Sequence, residues 1–269
     1  TFTVDSNNLN FLRLPKVDLF ASSFAGGAHG YPLNCENYSL DDRIKMLTTD
    51  KNFIKNTKIK YLKNINPKFF LPYAGFFEER LKRDELYIKY NVKNEVKDYE
   101  KICKKLKIKI LDVNKETIFE FYKTKLKRKK YKGKYFLDLN EDRYLQNYKI
   151  LYNKIDTEFI RNYFINSNFH DGTKLYINLT DDKFENEKYS FLVNFGNKIN
   201  FTKLSLEQLK KKLFIDNNYL YLKIRKESFL NTLYNKRSWE DISIGFQNKQ
   251  YRKPNHYNSN FWFHFSNIY

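Results

Sequence analysis

The strongest constraint on the fold lies in the first third of the chain, where a short apolar run ends in the densest cluster of glycine. Val17-Asp18-Leu19-Phe20-Ala21-Ser22-Ser23 reads as a buried strand, and it feeds Gly26-Gly27-Ala28-His29-Gly30 and then Pro32. Only 8 glycines and 5 prolines occur in 269 residues, so three glycines in this one stretch mark a turn of special conformation. Ser39, with Asp41 and Asp42 behind it, has the chemistry of a helix start: a capping hydroxyl and acidic residues in the first turn. Ile44, Leu47, Ile54, Tyr61, Leu62 and Ile65 then recur at helical spacing, and Pro67 stops the helix at about Asn66. Residues 69–77 read as a second buried strand, opened at its end by Gly75. Strand, loop, helix, strand predicts an α/β unit, with the glycine-rich loop at the C-terminal edge of its first strand, where open sheets place ligands.

Further along, Val96, Tyr99, Ile102, Cys103 and Leu106 predict a shorter helix, followed by a strand over 108–113. Residues 144–165 predict one helix carrying Ile150, Leu151, Ile155, Phe159 and Phe164. The pattern then changes to alternation, which predicts half-buried strands over 174–180, 189–195 and 219–225. A helix from about Glu227 and an aromatic-rich segment close the chain. Between the two patterns, Lys123, Lys125, Lys127, Arg128, Lys129, Lys130, Lys132 and Lys134 crowd twelve positions. With Tyr131 the only aromatic among them, the run reads as a solvated connector rather than a single-strand nucleic-acid surface. The expected organisation is residues 1–114, a basic connector over 115–135, and an α+β region over 136–269.

Composition narrows the function classes. A 41% apolar share with 18% aromatics excludes intrinsic disorder, and no apolar run approaches the roughly 20 residues of a membrane helix. No secretory signal is read at the start, and the chain opens at Thr1 with its only methionine at Met46, so a processed, trimmed or fragmentary chain is expected. Two cysteines, Cys35 and Cys103, make no disulfide framework, which suggests a reducing, cytoplasmic setting. They also exclude a Rieske centre held by this chain alone, since no C-x-H or C-x-x-H pair occurs. The net charge of +19 invites a nucleic-acid reading, but excess Lys alongside abundant Asn, Ile, Phe and Tyr is the residue set of AT-rich codons. The four histidines form no metal motif, and the glycine loop lacks the Gly-Lys-Ser/Thr of a phosphate loop. His264, among Phe261, Trp262, Phe263 and Phe265, is expected to be a packed core histidine.

Three stretches are more informative together. These are 17–27 with Tyr31-Pro32, then Pro72-Tyr73-Ala74-Gly75-Phe76-Phe77, and Trp239-Glu240-Asp241-Ile242-Ser243-Ile244-Gly245-Phe246-Gln247 running through Arg252, Tyr257 and Phe261-Trp262. In that order they resemble the C-terminal part of the CMP-N-acetylneuraminate monooxygenase (CMP-sialic acid hydroxylase) family, over about residues 4–265. The last stretch is the most specific, and residues 115–134 fit poorly.

That resemblance implies an α+β chain forming the C-terminal part of a metallo-β-lactamase-like sandwich with a mixed strand and helix extension, without the family's Rieske domain. It implies hydroxylation of the N-acetyl group of CMP-N-acetylneuraminate, with electrons from NAD(P)H through a cytochrome b5-type donor, an iron site and a Rieske 2Fe–2S cluster. The cluster would not be held by this chain. Where metallo-β-lactamase-like proteins commonly place an Asp ligand, the position carries Asn8, with Asp5 three residues earlier, and residues 72–77 hold no histidine. His29 and Asn8 are the catalytic candidates, and Asp5 and His29 the metal candidates. Gly26, Gly27, Tyr31, Tyr73, Arg237 and Arg252 are the substrate-binding candidates, the arginines because a CMP-sugar is an anion. Two other classes stay open: a metal-dependent hydrolase or another amino-sugar-nucleotide hydroxylase on this scaffold, and a non-catalytic basic module for nucleic acid.

Overall fold

The structure is a computed structural model that describes residues 2–3, 9–10, 14–25, 31–74, 81–111, 117–122, 125–131, 140–186 and 189–267. In chain order its elements are β1 (Phe2–Thr3), β2 (Leu19–Ser22), α1 (Leu40–Ile65), β3 (Phe69–Pro72), α2 (Glu85–Tyr90), α3 (Lys97–Leu106), β4 (Lys109–Ile110), β5 (Thr117–Tyr122) and β6 (Lys125–Lys130). There follow α4 (Glu141–Leu151), α5 (Thr157–Ile165), β7 (Lys174–Thr180), β8 (Tyr189–Phe195), β9 (Ile199–Leu204), α6 (Leu206–Ile215), β10 (Tyr219–Arg225), α7 (Lys226–Tyr234), α8 (Glu240–Ser243), β11 (Asn248–Lys253) and α9 (Ser259–Asn267). Short 3-10 turns lie at Tyr31–Asn34 and Lys82–Asp84. The chain is therefore mixed α and β, and it divides into two units.

The first unit takes Thr1–His29, Ile44–Glu79 and Tyr90–Leu139. Its sheet runs β1-β2-β3-β4, all parallel, with Leu19 opposite Phe69 and Phe70 opposite Ile110. Parallel neighbours need long crossovers, and the capped helix α1 and the shorter α3 supply them. Ser39 Oγ accepts from the Asp42 amide at 3.2 Å, as the helix-start reading of the sequence requires. Phe20, Leu62, Phe70, Tyr61 and Tyr99 fill the core, where Tyr99 donates its hydroxyl to the Phe24 carbonyl at 3.1 Å. The expected strand over 69–77 is limited to Phe69–Pro72 among the described residues, and Ala74 already has φ of 60°. The basic run has regular structure: β5 and β6 pair antiparallel, with Glu120 opposite Lys127 and Lys129 reaching Glu120 at 2.5 Å.

The second unit takes Gly30–Arg43, Arg80–Lys89 and Asn140–Tyr269. Its sheet runs β11-β10-β7-β8-β9, with β7 and β10 parallel and the other pairs antiparallel. Residues paired across strands share a face. Leu175, Ile177 and Leu179 therefore stand with Leu220, Leu222 and Ile224, and this apolar face packs with Phe164 of α5, Phe229 and Leu233 of α7, and Phe261 and Phe265 of α9. On the other face Tyr176 and Tyr219 pack with Leu209 of α6.

One helix expected over 144–165 is two. Asn140 caps α4 by accepting from the Arg143 amide, and Asp156 caps α5 by accepting from the Phe159 amide at 2.9 Å. The second cap starts a new helix where the apolar spacing alone reads straight through.

Candidate functional site

The most specific stretch of the sequence folds as one wall of the second unit. Trp239 is fully buried in the main core and donates its indole N–H to the Tyr163 hydroxyl at 2.8 Å. The short α8 then turns the chain at Gly245. A β-carbon there would lie 2.4 Å from the Asp241 carbonyl oxygen, so only glycine permits this approach. Phe246, at φ of 56°, stacks its ring on Tyr87 with centroids 4.2 Å apart. Gln247 follows, and its Oε1 accepts from Ser228 Oγ at 3.0 Å and from Arg83 Nη2 and Arg225 Nη1 at 3.3 Å each.

This Gln247 contact belongs to a buried polar hub. Arg225 is completely buried, and each of its guanidinium nitrogens is engaged. Nη1 meets Asp84 Oδ1 at 2.6 Å, Nη2 donates to the Arg83 carbonyl at 2.9 Å, and Nε donates to the Asp182 carbonyl at 3.0 Å. Phe184 covers the guanidinium at 4.5 Å. Burial pushes the Asp182 carboxyl up, but the hydrogen bonds from Lys149 and Arg83 more than reverse this and leave it low. Buried charges persist when paired and hydrogen-bonded, and this hub meets that condition. It holds the wall together.

Strand β11 runs along the outer edge of the sheet. Its backbone is covered by 34–37: the Glu36 amide donates to the Gln250 carbonyl at 2.7 Å, and Cys35 bridges to Gln250. The Asn37 side chain imitates a strand neighbour. It donates to the Arg252 carbonyl at 2.7 Å and accepts from the Arg252 amide at 3.0 Å. Such covering blunts an otherwise reactive edge. It also turns Asn248, Gln250 and Arg252 to the face of Leu220, Leu222 and Ile224, and all three are buried. Several of their polar atoms lack a hydrogen-bond partner: both amide atoms of Asn248, Oε1 of Gln250 and Nη1 of Arg252. Gln250 Nε2 donates to Cys35 Sγ at 3.2 Å, and Arg252 Nε to Asn255 Oδ1 at 3.3 Å.

Two of the sequence candidates come together here. Tyr31 opens the turn ahead of Asn34; burial raises its hydroxyl pKa, with Cys35 adding to the rise and the nearby Arg252 guanidinium opposing it. Arg237 stands elsewhere on the surface, 4.0 Å from Asp241 and more than half exposed. Tyr73 follows β3 in the first unit and donates its amide to the Ser22 carbonyl at 3.0 Å. Asp5, Asn8, Gly26, Gly27 and His29 lie outside the described residues. His264, half-buried, donates from Nε2 to the Ser167 carbonyl at 2.8 Å and packs on Phe169. Gln250 and Asn248 are functional candidates that sequence reasoning missed; polar residues in an unpatterned stretch give no sign that they face inward.

No group of three or more His, Cys, Asp or Glu side chains among the described residues is placed to hold a metal ion. Cys35 and Cys103 are buried free thiols in different units, and burial raises both, Cys103 to about 11. Among the described residues neither thiol belongs to a group of three or more such side chains, so these donors do not fit an iron–sulfur centre. No described helix is long and apolar enough to cross a membrane.

Comparison with known proteins places this geometry in context. No family model matches the chain, and no solved structure matches it. It is 27% identical over 286 residues to the cytidine monophosphate-N-acetylneuraminic acid hydroxylase of Danio rerio, covering 98% of this chain and 46% of that protein. The proteins of the same name from Macaca mulatta and Sus scrofa are 26% identical over 292 and 291 residues, again over 98% of this chain, and over 46% and 63% of theirs. The chain thus spans about half the length of most of the curated relatives it matches. Over nearly all of its residues the chain is similar to the proteins named cytidine monophosphate-N-acetylneuraminic acid hydroxylase, and the share of them that it covers is consistent with a C-terminal part.

Proposed function

We propose that the chain is the C-terminal part of an enzyme that hydroxylates the N-acetyl group of CMP-N-acetylneuraminate, and that its own contribution is to bind the nucleotide sugar. The observation that carries this reading is the similarity, over 98% of this chain, to about half the length of hydroxylases of that name, together with the folding of the most specific stretch into one buried polar wall. The substrate is an anion with amide, hydroxyl and base edges. Tyr31 and Arg252 offer a hydroxyl and a guanidinium to such a molecule within one site. The first unit would be the closing portion of a metallo-β-lactamase-like domain, consistent with its parallel strands and crossover helices. Oxygen activation by iron, and electrons from NAD(P)H through a cytochrome b5-type donor and a Rieske cluster, would depend on residues other than those described here. A cytoplasmic setting fits the two unpaired thiols.

The test is mass spectrometry of CMP-N-acetylneuraminate incubated with the complete gene product, NAD(P)H, cytochrome b5 and its reductase. The expected result is gain of one oxygen atom in the N-acetyl group. Unchanged substrate with all components present, or hydrolysis in place of oxygen insertion, overturns the reading.

A further inference from the structure

Two arginines of the second unit are withdrawn from water, and their surroundings differ sharply. Arg225 has a carboxylate and two carbonyls on its guanidinium. Arg252 is 8% exposed, its Nη1 has no acceptor, and no carboxylate lies within ion-pair distance among the described residues. A buried cation without a counter-charge is expensive, so this site reaches its lowest free energy only when an anion sits against it. Asp171 is already engaged with Thr173 and Asn258, which line the cleft: it accepts from Thr173 Oγ1 at 2.8 Å and from Asn258 Nδ2 at 2.9 Å.

The unsatisfied groups form a row. Asn248, Gln250 and Arg252 alternate along β11, so they share a face with about 7 Å between successive side chains. At the arginine end a small cleft of about 20 Å³ opens to solvent, lined by Arg252, Lys253, His256, Asn258 and Trp262. Lys253 brings a second cation to the same mouth.

We propose that the Arg252 end of β11 is an anion subsite for a phosphate or carboxylate group. The subsite stands on the open Nη1 of a buried guanidinium and the cleft beside it; only the choice of probes rests on the hydroxylase reading.

The experiment is isothermal titration of the chain with inorganic phosphate, acetate, cytidine 5′-monophosphate and free N-acetylneuraminate at constant ionic strength. It is run on the unmodified chain, on Arg252→Met, on Gln250→Glu, and on Arg161→Gln, which removes an exposed cation. At least one anion is expected to bind the unmodified chain and Arg161→Gln, and to bind Arg252→Met at least tenfold more weakly. Gln250→Glu places a carboxylate beside Arg252, so it should raise the melting temperature in anion-free buffer and displace the anion. This variant keeps the test informative if Arg252→Met fails to fold. Preference for phosphate and cytidine monophosphate identifies a phosphate subsite; preference for acetate and N-acetylneuraminate identifies a carboxylate subsite. Binding of inorganic phosphate with none of cytidine monophosphate or N-acetylneuraminate keeps the subsite and counts against the nucleotide-sugar reading. Absence of binding by all four anions, or equal binding to Arg252→Met, overturns the proposal.

Discussion

Lys249 holds a charge that its surroundings penalise. It is 8% exposed, donates to the Leu33 carbonyl at 3.2 Å and the Tyr87 hydroxyl at 3.0 Å, and lies over the rings of Tyr87 and Phe184. Burial, then the positive charge of Arg43 and Arg225, brings its pKa from the ordinary 10.5 down to about 8, against the pull of Glu36 and Asp84. Between those two values the unfolded chain binds the proton and the folded chain does not, so stability rises with pH across that window. Below about 8 both states are protonated and the full cost of burying the ammonium is present. Relative to Lys249→Met, the unmodified chain should therefore gain on the order of 2 kcal/mol of unfolding free energy between pH 7.5 and about 9.5. Urea denaturation of both proteins across this range checks it. Parallel pH profiles for the two would show that Lys249 does not titrate early.

Elements were legible where side-chain period and burial agree. Strand β10 alternates Tyr219, Tyr221 and Lys223 against Leu220, Leu222 and Ile224, and the alternation locates its bounds to the residue. Helix α1 announces itself through Ser39, the acidic pair and Pro67. Strand β11 is hidden because Asn-Lys-Gln-Tyr-Arg-Lys is polar on both faces, so no period separates inside from outside. The same fact hid most of the candidate site: Arg252 was reachable through the resemblance, whereas Gln250 and Asn248 look like solvent-facing residues until segment 34–37 is seen to cover the edge. The break between α4 and α5 was hidden because Ile155 continues the apolar spacing, and the decision rests on one cap. Asp156→Ala should cost about 1 kcal/mol, since α5 buries Ile160 and Phe164 in the main core. Asn140→Ala should cost less, because α4 has no buried residue and its fraying exposes little. Denaturation midpoints of the two variants check the order. An unshifted midpoint for Asp156→Ala would mean that packing, not the cap, sets the helix start.

At the scale of the molecule the question is what a net charge of +19 does. The structure gives the densest basic run a definite form: β6 presents Lys125, Lys127, Arg128, Lys129 and Lys130 exposed on a hairpin, with Glu120 paired to Lys129. A two-stranded ribbon of cations attracts any polyanion, and that attraction has a fixed signature. Neutralising about five phosphates of a single strand gives a slope of roughly −3.5 in log affinity against log salt, a loss of about a hundredfold between about 50 and 200 mM. Selective recognition would need base stacking or edge contacts besides charge. On β6 itself Leu126 is the only apolar side chain, and on β5 the exposed Phe121 is also in edge contact with Phe69. The chain should therefore retain single-stranded DNA and RNA on a filter at about 50 mM salt, without sequence preference, and release both by about 200 mM. Retention that survives the higher salt, or that discriminates between sequences, would mean that the positive charge serves a dedicated nucleic-acid surface and would favour the binding-module class over a hydroxylase. Loss of both together leaves the exposed cations as a diffuse field without selective recognition.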